Sequence, residues 1–289
     1  MPVLLFLLLF PAVIIAALYA RRVQTLRGTR RAVPGWRQLS MFSGLVLIVI
    51  AVGSPIGSIA GDLFSVHMVE HLMLGDIATL LIVLGLTAPL LAPVLQLPGF
   101  GRLQIFVNPV VAFVLWAVNL YLWHLPLFHE AAVSDELVHV VQHATFIFLG
   151  INIWMALLGP LPKPAWFGTA AQFAYIVAVR LTGAVLGNVL IFGEVFYSVY
   201  DPGLARRGVG AASDQAMAGG IMMLEGSVLT ICLLAWLFLK TAKQTDERQE
   251  LVEFARGQGV ELTDSRAARA VAAGRGEELR ERIVAGSFS

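Results

Sequence analysis

Charge is what this sequence has least of: Asp, Glu, Lys and Arg make up 13% of its 289 residues, against 58% hydrophobic. A soluble domain carries about 25% charged residues, so an ordinary water-soluble globule is excluded. The net charge of +1 leaves no electrostatic footprint for nucleic acid, which is not expected as a partner. Cysteine is nearly absent too. Cys232 stands alone in an apolar run, so neither an intramolecular disulfide nor a Cys-rich metal motif can form. No basic stretch precedes the first apolar segment, and Arg21 and Arg22 follow it at once, so it is expected to be a retained helix rather than a signal peptide. Internal repeats of the kind that build transporter halves are also missing, as is any ATP-driven domain.

What is present is hydrophobic length. A span needs about 20 apolar residues to cross roughly 30 Å of hydrocarbon, and seven stretches qualify, at 3–20, 41–60, 66–92, 106–124, 137–158, 171–195 and 214–239. The expected fold is therefore an all-α polytopic bundle of about seven transmembrane helices. Arg21, Arg22, Arg27, Arg30, Arg31, Arg37, Arg102, Lys163, Lys240 and Lys243 alternate onto one side, and Arg206 and Arg207 fall on the other. Positive residues stay inside, so the N-terminus is expected outside and the C-terminus in the cytoplasm. Residues 1–240 form the membrane domain in this reading, and 241–289 a polar cytoplasmic tail. The tail has no apolar run long enough to build a core, and Asp264 to Ile283 could form one or two short polar helices or stay disordered.

All six histidines fall at or near the outer face of that topology. His67 and His71 open the third span, and His139 and His143 open the fifth. Residues four apart share a helix face, about 6 Å apart along the axis, so each pair can aim two imidazoles at one spot. Two pairs at matching depth make a candidate metal or haem site. His124 ends the fourth span, and His129 follows in the loop. Imidazole suits zinc, copper, iron and nickel alike. Met68, Met73, Met217, Met222 and Met223 tilt the choice toward reduced copper, since thioethers are soft ligands, although a methionine in an apolar helix is more often packing.

A second group lies deeper. Counting about 1.5 Å per residue, Asp76, Arg180 and Glu225 reach the bilayer midplane on the third, sixth and seventh spans. Unpaired charge there is costly, so they are expected to meet as an ion-paired cluster, either a buried brace or a proton or ion relay. Asp214 and Gln215 are placed to cap the free amides of the seventh helix, or to reach the histidine layer.

Several stretches resemble the CtaG family of bacterial cytochrome c oxidase assembly factors. His67-Met68-Val69-Glu70-His71 is similar to the family's H-M-x-x-H, with an apolar run from there to Gly85 and Pro89. Trp123-His124-Leu125-Pro126 is similar to its W-H-x-P, and His139 to His143 to its H-x-x-x-H. Tyr197 and Tyr200 resemble its Y-x-x-Y, and Asp214, Gln215, Gly219 and Met222 its D-Q-x-x-A-G-x-x-M. These matches run in order over roughly residues 40–240. Glu70 stands where Gln is commoner, Asp76 interrupts a run that is usually apolar, and Glu225 replaces an uncharged residue.

The resemblance implies a bacterial plasma membrane, and in it a non-enzymatic membrane assembly factor that holds copper in the outer leaflet and passes it to a maturing oxidase subunit. His67, His71, His139 and His143 would be the ligands, with His124 and one of Met68, Met217 or Met222 as exchange ligands. Three other readings stay open. One is a haem-binding redox protein, and one a copper transporter. The third, a zinc hydrolase, is disfavoured because Glu70 precedes the second histidine instead of following the first, as the H-E-x-x-H pattern requires. Self-association is left open.

Overall fold

The computed structural model describes residues 2–97, 105 and 108–286. Arg102 of the cytoplasmic set lies outside the described residues. Among the described residues there is no strand.

Proline and glycine set most of the helix boundaries. α1 (Pro2–Leu26) runs past the expected end and takes Arg21 and Arg22 into its last turns. α2 (Gly35–Gly53) starts behind Pro34 and stops before Ser54, whose hydroxyl caps α3 (Pro55–Ala60) by accepting from Ile56 N at 3.2 Å. The third span, Phe64–Gly85, consists of α4 (Phe64–Leu72), a π-helical turn (Met73–Ala78) and α5 (Thr79–Gly85). It ends seven residues short of the expected 92, because Leu86 and Thr87 are extended ahead of Pro89, and α6 (Ala88–Leu95) begins anew. α7 (Pro109–His124) starts at the Asn108 cap. Pro126, which has no N–H to continue the ladder, turns the chain by 73° into α8 (Pro126–Ser134). α9 (Glu136–Leu158) and α10 (Thr169–Phe192) are continuous spans. α11 (Asp201–Arg207) follows a single 3-10 turn, and Gly208, at φ +65°, closes it in the left-handed conformation.

Among the described residues six helices are long and apolar enough to cross a bilayer, or seven if the bent α7–α8 pair is one span. The protein is a multi-pass membrane protein. Its outward faces agree: Val118, Leu181 and Leu224 are 59%, 60% and 69% exposed, as lipid-facing side chains should be. Inside, Tyr19, Met41, Leu45, Ile48, Leu74, Ala78, Ile82 and Val140 form a core between α1, α2, the third span and α9.

The basic residues gather at the end of the third span away from its histidines. Arg37 Nη1 donates to Leu84 O and Leu86 O, both at 2.8 Å, Arg22 Nη2 to Pro89 O at 3.1 Å, and Tyr19 OH to Gly85 O at 3.1 Å. Leu84 and Gly85 are among the carbonyls that the C-terminus of a helix leaves without partners. His67 sits some 18 residues upstream of Gly85, or about 27 Å along the axis.

At the histidine end, Asp62 ties α11 to the start of the third span. Arg207 donates from Nε (3.1 Å) and Nη2 (2.9 Å), and Arg206 donates from Nη2. Those guanidinium contacts, Arg207 first, hold the Asp62 carboxyl below its ordinary value. A depressed pKa contributes stability above the unfolded value and loses it as pH falls through the folded one. Acidification below the carboxylate range should therefore free α11, seen as faster amide exchange over Asp201–Arg207. Asp62→Asn should produce the same exchange at neutral pH. Both arginines are solvent-exposed and Asp62 is partly so, so global stability should hardly move.

α12 (Ala211–Gly257) carries the seventh span. The chain divides into two compact units at residues 228 and 229. In the second unit the tail forms two helices, α13 (Asp264–Ala272) and α14 (Gly276–Val284). Leu251, Ala255, Leu262, Ala267, Val271, Leu279 and Ile283 build a small core there, and Arg248 pairs with Asp264 at 3.1 Å. The expectation that the tail could build no core is thus corrected. Single apolar residues spaced along the end of α12, the connecting segment and two short amphipathic helices suffice, without any continuous run.

Candidate metal centre

The site is assembled from two helix starts. α4 begins at Phe64, whose N–H donates to Asp214 Oδ2 at 2.7 Å. Ser65 N donates to Oδ1 at 3.3 Å, and the Ser65 hydroxyl donates to the same oxygen. Asp214 therefore caps α4, not its own helix. It is the fourth residue of α12, its own N–H already bonds Gly210 O, and the helix's orphan amides lie behind it. Gln215 also reaches sideways: Oε1 accepts from Phe196 N at 2.9 Å, and Nε2 donates to Glu194 O at 2.8 Å and Leu190 O at 3.2 Å. α9 is capped by Asp135, which accepts from Leu137 N and Val138 N at 2.8 and 3.0 Å. Both caps fix the helix starts, and each helix carries its histidines at its fourth and eighth residues.

His67, Glu70, His71 and His143 are buried, and His139 is half-buried. Ring centroids lie 4.2 Å apart for His67 and His71 and 4.1 Å apart for His139 and His143. Across the helices His67 faces His139 at 5.3 Å, nearly parallel, and His71 faces His143 at 5.2 Å. Two sets of donor atoms converge to within 4.8 Å of one another: His67, His71 and His139, and Glu70, His139 and His143. The sequence marks Glu70 as a departure from the family's Gln and as a misplaced general base, but not as a ligand. Its signal was its spacing, three residues after His67 and therefore on the same face.

His129 and Tyr200 close the site above. His129 Nε2 lies 2.9 Å from Tyr200 OH, and both side chains are buried. Phe64 stacks against Tyr197 at 4.6 Å, and Tyr197 OH donates to His124 O at 2.8 Å. His124 belongs to neither close set. Its Nδ1 donates to Leu120 O at 2.7 Å, which leaves Nε2 as the nitrogen with a free lone pair. Met68 and Met222 are buried, whereas Met217 is 55% exposed on α12.

Farther along the third span, Arg180 grips Asp76 with two contacts, Nη1 to Oδ2 at 3.1 Å and Nη2 to Oδ1 at 3.2 Å. Glu225 Oε2 lies 3.8 Å from Arg180 Nη1. Asp76 is on the π-helical turn, where the ladder shifts by one residue and leaves carbonyls to be satisfied from outside. Trp154 Nε1 takes Asp76 O at 3.0 Å, and Thr79 Oγ1 donates to Gly75 O at 2.7 Å.

Residues 17–244 match the family described as cytochrome c oxidase caa3 assembly factor (Caa3_CtaG). The chain belongs to this family. Every residue of the histidine cluster and of the charge trio falls inside the stretch that matches Caa3_CtaG, and α13 and α14 fall outside it. The chain is also similar to uncharacterized proteins of Mycobacterium bovis and Mycobacterium tuberculosis, each 26% identical over 254 residues, covering 80% of this chain and 38% of theirs. A third, from Mycobacterium leprae, is 25% identical over 240 residues, 74% of this chain and 36% of that one. The chain thus spans less than two fifths of the length of these relatives. No solved structure matches.

Proposed function

We propose that this Caa3_CtaG member binds copper in its histidine cluster and supports the insertion of that copper into a maturing cytochrome c oxidase. The observation that carries the reading is a set of buried polar atoms without partners: Nε2 of His67 and His139, both ring nitrogens of His71 and His143, and both carboxylate oxygens of Glu70. Left unmet, each such group costs about 1–3 kcal/mol. A single ion at their centre satisfies several together, so the donor set fits a metal. Imidazoles at centroid spacings of 4.1–5.3 Å favour a bare ion over haem, because a macrocycle would have to part the helices.

The chain delivers cargo on this reading and catalyses no reaction. In the orientation that the basic residues at the other end predict, the cluster lies toward the outer face beneath His129 and Tyr200, the side on which an oxidase subunit would collect the ion. Release needs an exchange ligand. His124 supplies a free Nε2, and buried Met68 or Met222 suits the role better than exposed Met217.

The test is copper content. Detergent-purified protein loaded with reduced copper should retain it, and the His71→Ala/His143→Ala variant should lose at least about tenfold in affinity, the scale of 1.4 kcal/mol. Full copper occupancy in a folded double variant would overturn the assignment.

A further inference from the structure

The histidine cluster has an acidic member as well, Glu70. It contains two sets of donors, and His139 belongs to both. We infer that these are two alternative subsites, and that Glu70, His139 and His143 form one for a divalent cation, zinc or oxidised copper. This rests on the reading of the cluster as a metal centre, and it assigns a distinct ligand class within it.

Charge separates the two. His67, His71 and His139 are neutral when they ligate, so reduced copper bound there leaves a net charge of one. A divalent ion there would leave two, in a site where excess charge is expensive. Glu70 changes the balance. With its carboxylate, a divalent ion bound to Glu70, His139 and His143 also leaves a net charge of one. Ligand chemistry points the same way, since a carboxylate oxygen is harder than an imidazole nitrogen and suits a divalent ion better than reduced copper.

Glu70 is placed for this. It is fully buried, both its oxygens lack partners, and among the described residues its charged contact is His143, with Nε2 at 3.9 Å from Oε1. No guanidinium or ammonium is paired with it there, so an incoming cation displaces the carboxyl proton and meets no rival counter-ion. Sharing His139 makes occupancy exclusive: an ion in one subsite removes a ligand from the other. Reduced and divalent ions would therefore compete for His139 while touching different residues otherwise.

The experiment measures zinc and reduced copper separately, by competition with chromophoric chelators, on the full chain in detergent. Wild type, Glu70→Gln and His67→Ala are compared, each first shown to keep its thermal transition. Glu70→Gln, which preserves shape, should weaken zinc by more than about tenfold, the least that follows from removing even an outer-shell partner of a ligand, and leave reduced copper nearly unchanged. His67→Ala should do the reverse. Cobalt in place of zinc adds a spectroscopic reading, because its ligand-field bands should shift in Glu70→Gln and persist in His67→Ala. Unchanged zinc affinity in Glu70→Gln, or equal weakening of both ions, overturns the subsite. Reduced copper bound without any zinc overturns the subsite alone and leaves the copper-delivery reading standing. Zinc binding that depends on Glu70, in a protein that takes no reduced copper, supports the subsite and overturns copper delivery.

Discussion

Arg180→Ala should destabilise the membrane bundle by about 3–5 kcal/mol, the loss expected when one partner of a buried ion pair is removed and the others remain. The guanidinium is 10% exposed and sits between Asp76 and Glu225, which are 12% and 14% exposed. It also lies 5.3 Å from the centroid of the Trp154 ring, whose nitrogen holds Asp76 O. Alanine leaves two carboxylates facing each other at low dielectric, and one of them must take up a proton or turn away. The effect should appear as a large drop in the thermal midpoint in detergent. A variant with Asp76, Arg180 and Glu225 all replaced by leucine or methionine should recover most of the loss, because no charge is then stranded. That comparison also separates the two roles open to the trio. If it is a brace, the triple variant stays folded and still supports oxidase maturation. If it relays protons or ions, the triple variant folds and fails. A triple variant as unstable as Arg180→Ala would contradict the stranded-charge argument itself.

Much of this was legible from spacing. His67 with His71 and His139 with His143 stand one helical turn apart, and periodicity alone puts each pair on one face. Counting residues put Asp76, Arg180 and Glu225 at one depth, and they do meet. The rest depends on contacts between distant segments. The π-helical turn at Met73–Ala78 has no local code. It exists because Thr79 and Trp154 meet the carbonyls it releases, and Trp154 is 78 residues away. Asp214 looked like a cap for its own helix because caps are read from neighbours in sequence, yet its partners, Phe64 and Ser65, are 150 and 149 residues away. Glu70 was visible as a residue but not as a ligand. Its position matters only once α9 brings His139 and His143 against α4. The fifth span can come that close because of one small residue.

Gly150→Ala tests that approach. A Cβ added at Gly150 would penetrate the carbonyl oxygen of Gly75, and it would lie 2.8 Å from Thr79 Oγ1 and 3.0 Å from Gly75 C. Gly75 O is backbone on the π-helical turn and already accepts the Thr79 hydroxyl, so it cannot swing aside as a flexible side chain would. The helices must part. Overpacking costs about 1–3 kcal/mol and occasionally more, and a backbone obstacle puts this case at the upper end. Function should suffer along with stability. Gly75 is one turn beyond His71, about 6 Å along the axis, and Gly150 is two turns beyond His143, about 10 Å, so a shift here is carried to the imidazoles. Metal affinity should fall together with the thermal midpoint. Gly183→Ala on α10 is the control, since a Cβ there meets nothing within 4 Å and should be neutral or slightly stabilising. If Gly150→Ala melted like wild type and kept its metal, the two helices would not be in backbone contact. Small residues at a membrane helix interface let backbones approach, and here the approach brings two separate histidine pairs within reach of one ion.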